Sequence, residues 1–119
     1  MKIKRNFQCR FLSIVKEHNN YMEETILSII IQSGEARSCA MEAIQCAKRG
    51  EFDKARELIG QSADKLGNAH AEQTKLIQAE ANGKKTEISL LLIHAQDHLM
   101  TAITVKSLAN ELVEVYARL

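Results

Sequence analysis

A chain of 119 residues with a net charge of +1 is a single domain, and no overall field draws it to nucleic acid or to a membrane surface. It has no Pro and few aromatic residues, while Ala, Leu, Ile, Glu, Lys and Gln dominate. That composition excludes an all-β fold, which needs turn formers and β-branched or aromatic strands, and it predicts an all-α one.

Lys2, Lys4, Arg5, Arg10 and Lys16 crowd the start of the chain against Glu17 alone. The apolar patch from Phe11 to Val15 is too short and broken for a signal-peptide core. Residues 1–21 therefore read as an irregular, poorly ordered basic extension ending at His18-Asn19-Asn20, and Met22 opens the regular part. The first helix is predicted over Met22 to Arg49. Ile26, Ile29, Ile30, Cys39, Ala40, Ala43, Ile44 and Ala47 keep near-helical spacing. Gly34 interrupts it, which suggests close helix contact there. Lys48 and Arg49 suit the negative end of the helix dipole, and Gly50 suits the position just past it.

The second helix is predicted from Glu51 or Asp53 to Asn82-Gly83. Its inner stripe is Ala55, Leu58, Ile59, Ser62, Leu66, Ala69, Gln73, Leu76 and Ile77. Thr86 is the expected N-cap of a third helix running from Glu87 to Arg118. That helix is apolar most of the way round, so it should be buried on several sides. Three helices of this length cannot cover it, and an oligomer with the third helix inside is implied. His94, Asp97, Thr101 and Thr104 nevertheless share one stripe of it. Polar groups in such a place need satisfaction, so the stripe has a structural or a chemical task.

Cys9, Cys39 and Cys46 are odd in number and form no CxxC, which points to small apolar residues in a reducing compartment rather than to disulfides. Ile88 to Val105 is charge-poor, but His94, Gln96, Asp97 and His98 argue against a membrane span. A cytoplasmic location is expected.

The run His94-Ala95-Gln96-Asp97-His98 admits several chemistries. Two His one turn apart resemble half of a zinc-binding helix, but a metalloprotease needs Glu directly after the first His, and Ala95 stands there. A di-iron bundle needs Glu three residues before His, and no His here has one. A phosphohistidine needs less: a neutral imidazole is nucleophilic near pH 7, and phosphoryl transfer asks mainly for positioning and charge stabilisation. His70 and Gln73, one turn apart on the second helix, could then donate across a groove. Against these stands a silent reading, in which the residues are polar members of a non-catalytic scaffold or interaction module. The run around Gly50-Glu51-Phe52 looks like a tetratricopeptide turn, but Lys84 and Thr86 occupy the positions one 34-residue period later and do not match.

Four stretches carry a resemblance to a known family: Ile31-Gln32-Ser33-Gly34-Glu35-Ala36-Arg37-Ser38; Gly50-Glu51-Phe52; Asn68-Ala69-His70-Ala71-Glu72-Gln73-Thr74; and His94-Ala95-Gln96-Asp97-His98-Leu99-Met100-Thr101. From Met22 onward the chain resembles enzyme IIA of the lactose/cellobiose class of the bacterial sugar phosphotransferase system, nearest its chitobiose/cellobiose branch. The resemblance implies an antiparallel three-helix bundle protomer assembled as a homotrimer. It implies that His94 is the phosphorylated residue, and that three copies of Asp97 near the trimer axis hold a structural Mg2+. It implies HPr as phosphoryl donor, a cysteine of enzyme IIB as acceptor, and functional association with the membrane enzyme IIC during uptake of a β-disaccharide. His70, Gln73 and His98 are expected as phosphate neighbours. Residues 1–21 match nothing in the family pattern.

Overall fold

The structure is a computed structural model that describes residues 2–119, with side chains at positions 10, 13, 16, 17 and from 20 onward. Three helices follow one another: α1 (Lys2–Lys48), α2 (Phe52–Ala81) and α3 (Leu90–Arg118). The described residues contain no strand, as the composition predicts.

Both helix ends that face a turn close in the same way. At the end of α1, the Glu51 N–H donates to the Cys46 carbonyl and the Gly50 N–H to that of Ala47. At the end of α2, Lys84 donates to Ala79 and Gly83 to Glu80. This is the Schellman arrangement, which needs a left-handed residue just past the helix. Gly50 (φ 78°) and Gly83 (φ 85°) supply it. The turn between α1 and α2 is short, so these helices lie antiparallel.

Two boundaries differ from expectation. α1 starts at Lys2, not near Met22, so the segment expected to be irregular is helical. The run from Met1 to Ser33 holds neither Gly nor Pro, and His18-Asn19-Asn20 costs only propensity, which does not stop a helix already running. At ~1.5 Å per residue α1 is ~70 Å long and overreaches α2 by ~25 Å, which gives the molecule its 78 Å length. α3 starts at Leu90, not Glu87, because Ser89 and not Thr86 is the N-cap. Ser89 has extended backbone, and its hydroxyl accepts from the Leu92 N–H at 3.1 Å. The loop before it lies beside Met22, Glu23 and Ile26, leaving a cleft of about 340 Å³ lined also by Lys85 and Glu87.

Small residues let the helices approach closely. Ala36, Ala40, Ala43, Ala55, Ala69 and Ala102 are all fully buried. Ile29, Leu99 and Val113 are the largest side chains wholly excluded from solvent. Ser62, on the inner stripe of α2, donates to the Ala36 carbonyl at 2.7 Å and ties α2 to α1. Ile77, expected on that stripe, is exposed. Gly34 does not mark a close contact: a Cβ built there meets nothing within 4 Å.

The apolar surplus of α3 is real. Ala95, Leu99, Ala102, Ala109 and Val113 face the bundle, whereas Leu90, Ile93, Met100, Leu108 and Val115 are each more than half exposed in the single chain. Among the described residues, no helix is long and apolar enough to cross a membrane.

Candidate functional site

The site is built on α3. One turn past Ser89, His94 reaches the surface beside Leu90 and Leu91, which with it line a hollow of about 520 Å³. The hollow is apolar but open, with Leu90 83% exposed, so the imidazole is reachable from solvent. The His98 ring meets that of His94 edge-on, with centroids 4.4 Å apart and planes at 79°. His98 is half-buried and His94 exposed. The two rings pack in an edge-type pair, so His98 is placed to restrict the His94 ring and brings a second imidazole beside it.

Asp97 lies one turn from His94 on the uncovered stripe of α3, exposed in the single chain together with Thr101 and Thr104. The Thr104 hydroxyl donates back to the Met100 carbonyl at 3.2 Å. The ion pairs among the described residues use Glu35, Glu51, Glu72 and Glu114, and none uses Asp97. No group of three or more His, Cys, Asp or Glu gathers among the described residues of one chain. A carboxylate is a hard oxygen donor that suits Mg2+, and Asp97 is the one that this stripe carries close to His94.

The two expected donors on α2 are not beside His94 within one chain. His70 is exposed and lines a separate hollow of about 250 Å³ with Leu66, Gly67, Ile103 and Lys106. Ile103 stands nine residues beyond His94, which is ~13 Å along the helix. With Gln73 opposite Gln96, antiparallel α2 and α3 set His70 about one turn past His94, on the side of the hollow that Ile103 and Lys106 line. Gln73 is buried, and its Nε2 donates to Gln96 Oε1. Its amide is thus engaged across the α2–α3 interface rather than open to a phosphoryl group.

Gln96 stands in the sequence as part of the polar run but takes no individual role from it. It lies off the His94–Asp97 stripe, and periodicity assigns it to neither face. The hollow of Leu90 and Leu91 was also unassigned, because exposed leucines carry no chemical signature. Their exposure was the available signal, since α3 has more apolar residues than one bundle can cover.

The comparisons cover this same region. The model of the family described as PTS system, lactose/cellobiose-specific IIA subunit matches residues 24–117. The lichenan-specific phosphotransferase enzyme IIA component of Bacillus subtilis (strain 168) is 50% identical over 101 residues, covering 85% of this chain and 92% of that protein. The N,N'-diacetylchitobiose-specific EIIA component of Escherichia coli (strain K12) is 45% identical over 98 residues, covering 82% and 84%. Among solved structures, the PTS cellobiose-specific enzyme IIA from Bacillus anthracis superposes with a TM-score of 0.78 at 53% identity, covering 80% of this chain and 87% of that one. The IIA(chitobiose) chain of the Escherichia coli IIA(chitobiose)–HPr complex gives 0.71 at 44% identity, covering 81% and 93%.

Proposed function

Because the chain belongs to the lactose/cellobiose-specific IIA family of the phosphotransferase system, we propose that it is a phosphocarrier that accepts a phosphoryl group on His94 and passes it on. The observation that carries this reading is the exposed His94 ring at its apolar hollow, braced edge-on by His98. HPr is the donor, a choice supported by the relative that is solved as an HPr complex. The acceptor is a cysteine of enzyme IIB, and the phosphoryl reaches a β-disaccharide as it enters through enzyme IIC. Relatives named for lichenan, chitobiose and lactose support that substrate class.

In the first step a neutral His94 nitrogen attacks the phosphorus of phospho-HPr in line. One P–N bond forms as the donor's P–N bond breaks, and the HPr histidine leaves with the electron pair. In the second step the IIB thiolate attacks, a P–S bond forms, and the His94 P–N bond breaks. Neither step needs a separate base to activate the carrier histidine. What this chain contributes is position, an apolar surface beside the imidazole and donors for the phosphoryl oxygens. His98 is the donor nearest to hand. His70 joins the site only if a second protomer brings it there.

The protomers assemble as a homotrimer through the uncovered stripe of α3. Leu90, Ile93, Leu108 and Val115 supply its apolar seam, which is too large to stay wet. On a three-fold axis that seam brings three Asp97 carboxylates together, and they repel unless a cation compensates. They would hold a Mg2+ through oxygen, and its part is structural.

The test is phosphoryl transfer from labelled phosphoenolpyruvate, through enzyme I and HPr, to wild type and His94→Ala in parallel. Acid-labile, base-stable label on wild type alone is expected, with helicity equal in both. Label retained by His94→Ala would move the acceptor elsewhere. No label on wild type, with active HPr, would return the chain to a silent helical scaffold.

A further inference from the structure

A helix that is apolar most of the way round has little preference for which stripe it turns inward. α3 is such a helix. It buries Leu99 and Val113, yet leaves Leu90, Ile93, Met100 and Leu108 exposed. Ala95, Ala102 and Ala109 favour the observed face by their size, but apolar contact is not directional and does not by itself pin the exact rotation and register of α3. His94 and Asp97 need one setting, because rotation would turn them into the bundle or away from their partners.

One buried polar side chain of α2 breaks this ambiguity, and a second ties α2 itself to α1. Ser62, fully buried, donates to the Ala36 carbonyl of α1. Gln73, 8% exposed, donates to Gln96 of α3. Gln96 lies between His94 and His98 and immediately before Asp97. A directional bond in a low-dielectric interior is lost when its partner moves, and the stranded amide is then costly to keep buried. The register that satisfies Gln73 is therefore the register that presents His94.

We infer that Gln73 is a positioning residue for phosphoryl transfer: its bond to Gln96 fixes the rotation and register of α3 and so holds His94 at its hollow. The inference rests on His94 being the phosphoryl acceptor. It gives Gln73 a role through another residue, with no contact to the phosphoryl group. It also separates Gln73 from His70, its neighbour one turn away, which faces the other hollow.

The experiment compares wild type, Gln73→Met, Gln96→Met and the double variant as acceptors from phospho-HPr. Met keeps the length and flexibility of Gln and removes the amide. Each single change should slow transfer by about tenfold, as a displaced reacting group does, with KM for phospho-HPr unchanged. The double variant should be no slower than either single one, since only one bond is lost. The His94 ring nitrogen resonances should shift in all three variants while helicity stays constant. Full rate in both single variants, or losses that multiply in the double, would overturn the inference. If Gln73→Met does not fold, Gln96→Met at its half-buried position decides the matter by the same rate and resonance readouts. Absence of label on wild type would instead defeat the phosphocarrier reading itself.

Discussion

The imidazole rings of His94 and His98 pack nearly perpendicular, at 4.4 Å between centroids and 79° between planes. A ring packed one turn away limits the χ angles open to His94 and brings a second imidazole, which can serve as a donor, beside any negative charge built on it. Replacing His98 by Ala removes both effects but not the nucleophile. Acceptance from phospho-HPr should slow by on the order of tenfold, with the label still on His94. Peptide mapping of the labelled variant checks this. Unchanged rates would reduce His98 to a bystander, and label found only in a His98-intact protein would make His98 an acceptor.

Much of this arrangement was legible in the sequence. The inner stripe of α2 was readable because Ala55, Leu58, Ser62, Leu66, Ala69, Gln73 and Leu76 keep strict helical spacing, and all are buried. The turns were readable because only Gly fits φ near +80° without strain, and Gly50 and Gly83 stand where the periodicity ends. The start of α1 was not, since nothing in the first twenty residues forbids or demands a helix. The start of α3 was misplaced because Thr86 and Ser89 are both good caps, and only the fold decides between them. The His94-Asp97 stripe stood out as polar residues in an apolar helix. The Gln73–Gln96 bond did not, because it depends on how α2 and α3 are staggered, which neither helix encodes alone.

If three Asp97 carboxylates share a cation on an axis, removing Mg2+ should hurt the protein through their repulsion. Chelation should then lower the unfolding temperature of wild type and promote its dissociation. Asp97→Asn carries no such charge, so it should be insensitive to chelator and retain its oligomer through the apolar seam. Thermal unfolding and sedimentation with and without EDTA check both halves. Equal responses from the two proteins would remove Asp97 from any metal site.

Glu51 follows α1 and precedes α2, yet its carboxylate does not cap α2. It accepts from Arg49 Nε at 3.2 Å and Nη2 at 3.0 Å instead. These hydrogen bonds, and then the charge attraction behind them, hold the Glu51 carboxyl below its ordinary value. A carboxyl depressed in the folded state stabilises that state above its unfolded pKa, and the benefit fades as pH falls through the folded one. Wild type should therefore exceed Glu51→Gln in thermal stability at pH 7. The gap should narrow once the pH drops below about 4 and close with further acid. Both residues are exposed, so the gap is small at neutral pH and shrinks with salt. Paired melts across this range check it, and a gap that persists in strong acid would mean that Glu51 acts through something other than its charge.

Gly34 and Gly50 test two different uses of glycine. Neither has an atom within 4 Å of where a Cβ would sit, so space does not distinguish them. Conformation does. Gly50 sits at φ 78°, where an added Cβ strains the backbone, and Gly50→Ala should cost about 1–2 kcal/mol. Gly34 lies inside α1 with ordinary helical geometry, and there Ala reduces the freedom of the unfolded chain. Gly34→Ala should gain about 0.5–1 kcal/mol in an isolated chain. Denaturant unfolding of both variants reads the two signs. A loss at Gly34 would carry its own meaning. Since nothing in one chain approaches that position, the obstruction would have to come from a second molecule seated on the outer face of α1, beside exposed Leu27, Ile31 and Met41. Repeating the measurement over a wide range of dilution distinguishes the cases. A penalty that vanishes on dilution belongs to an interface, and one that persists belongs to the helix.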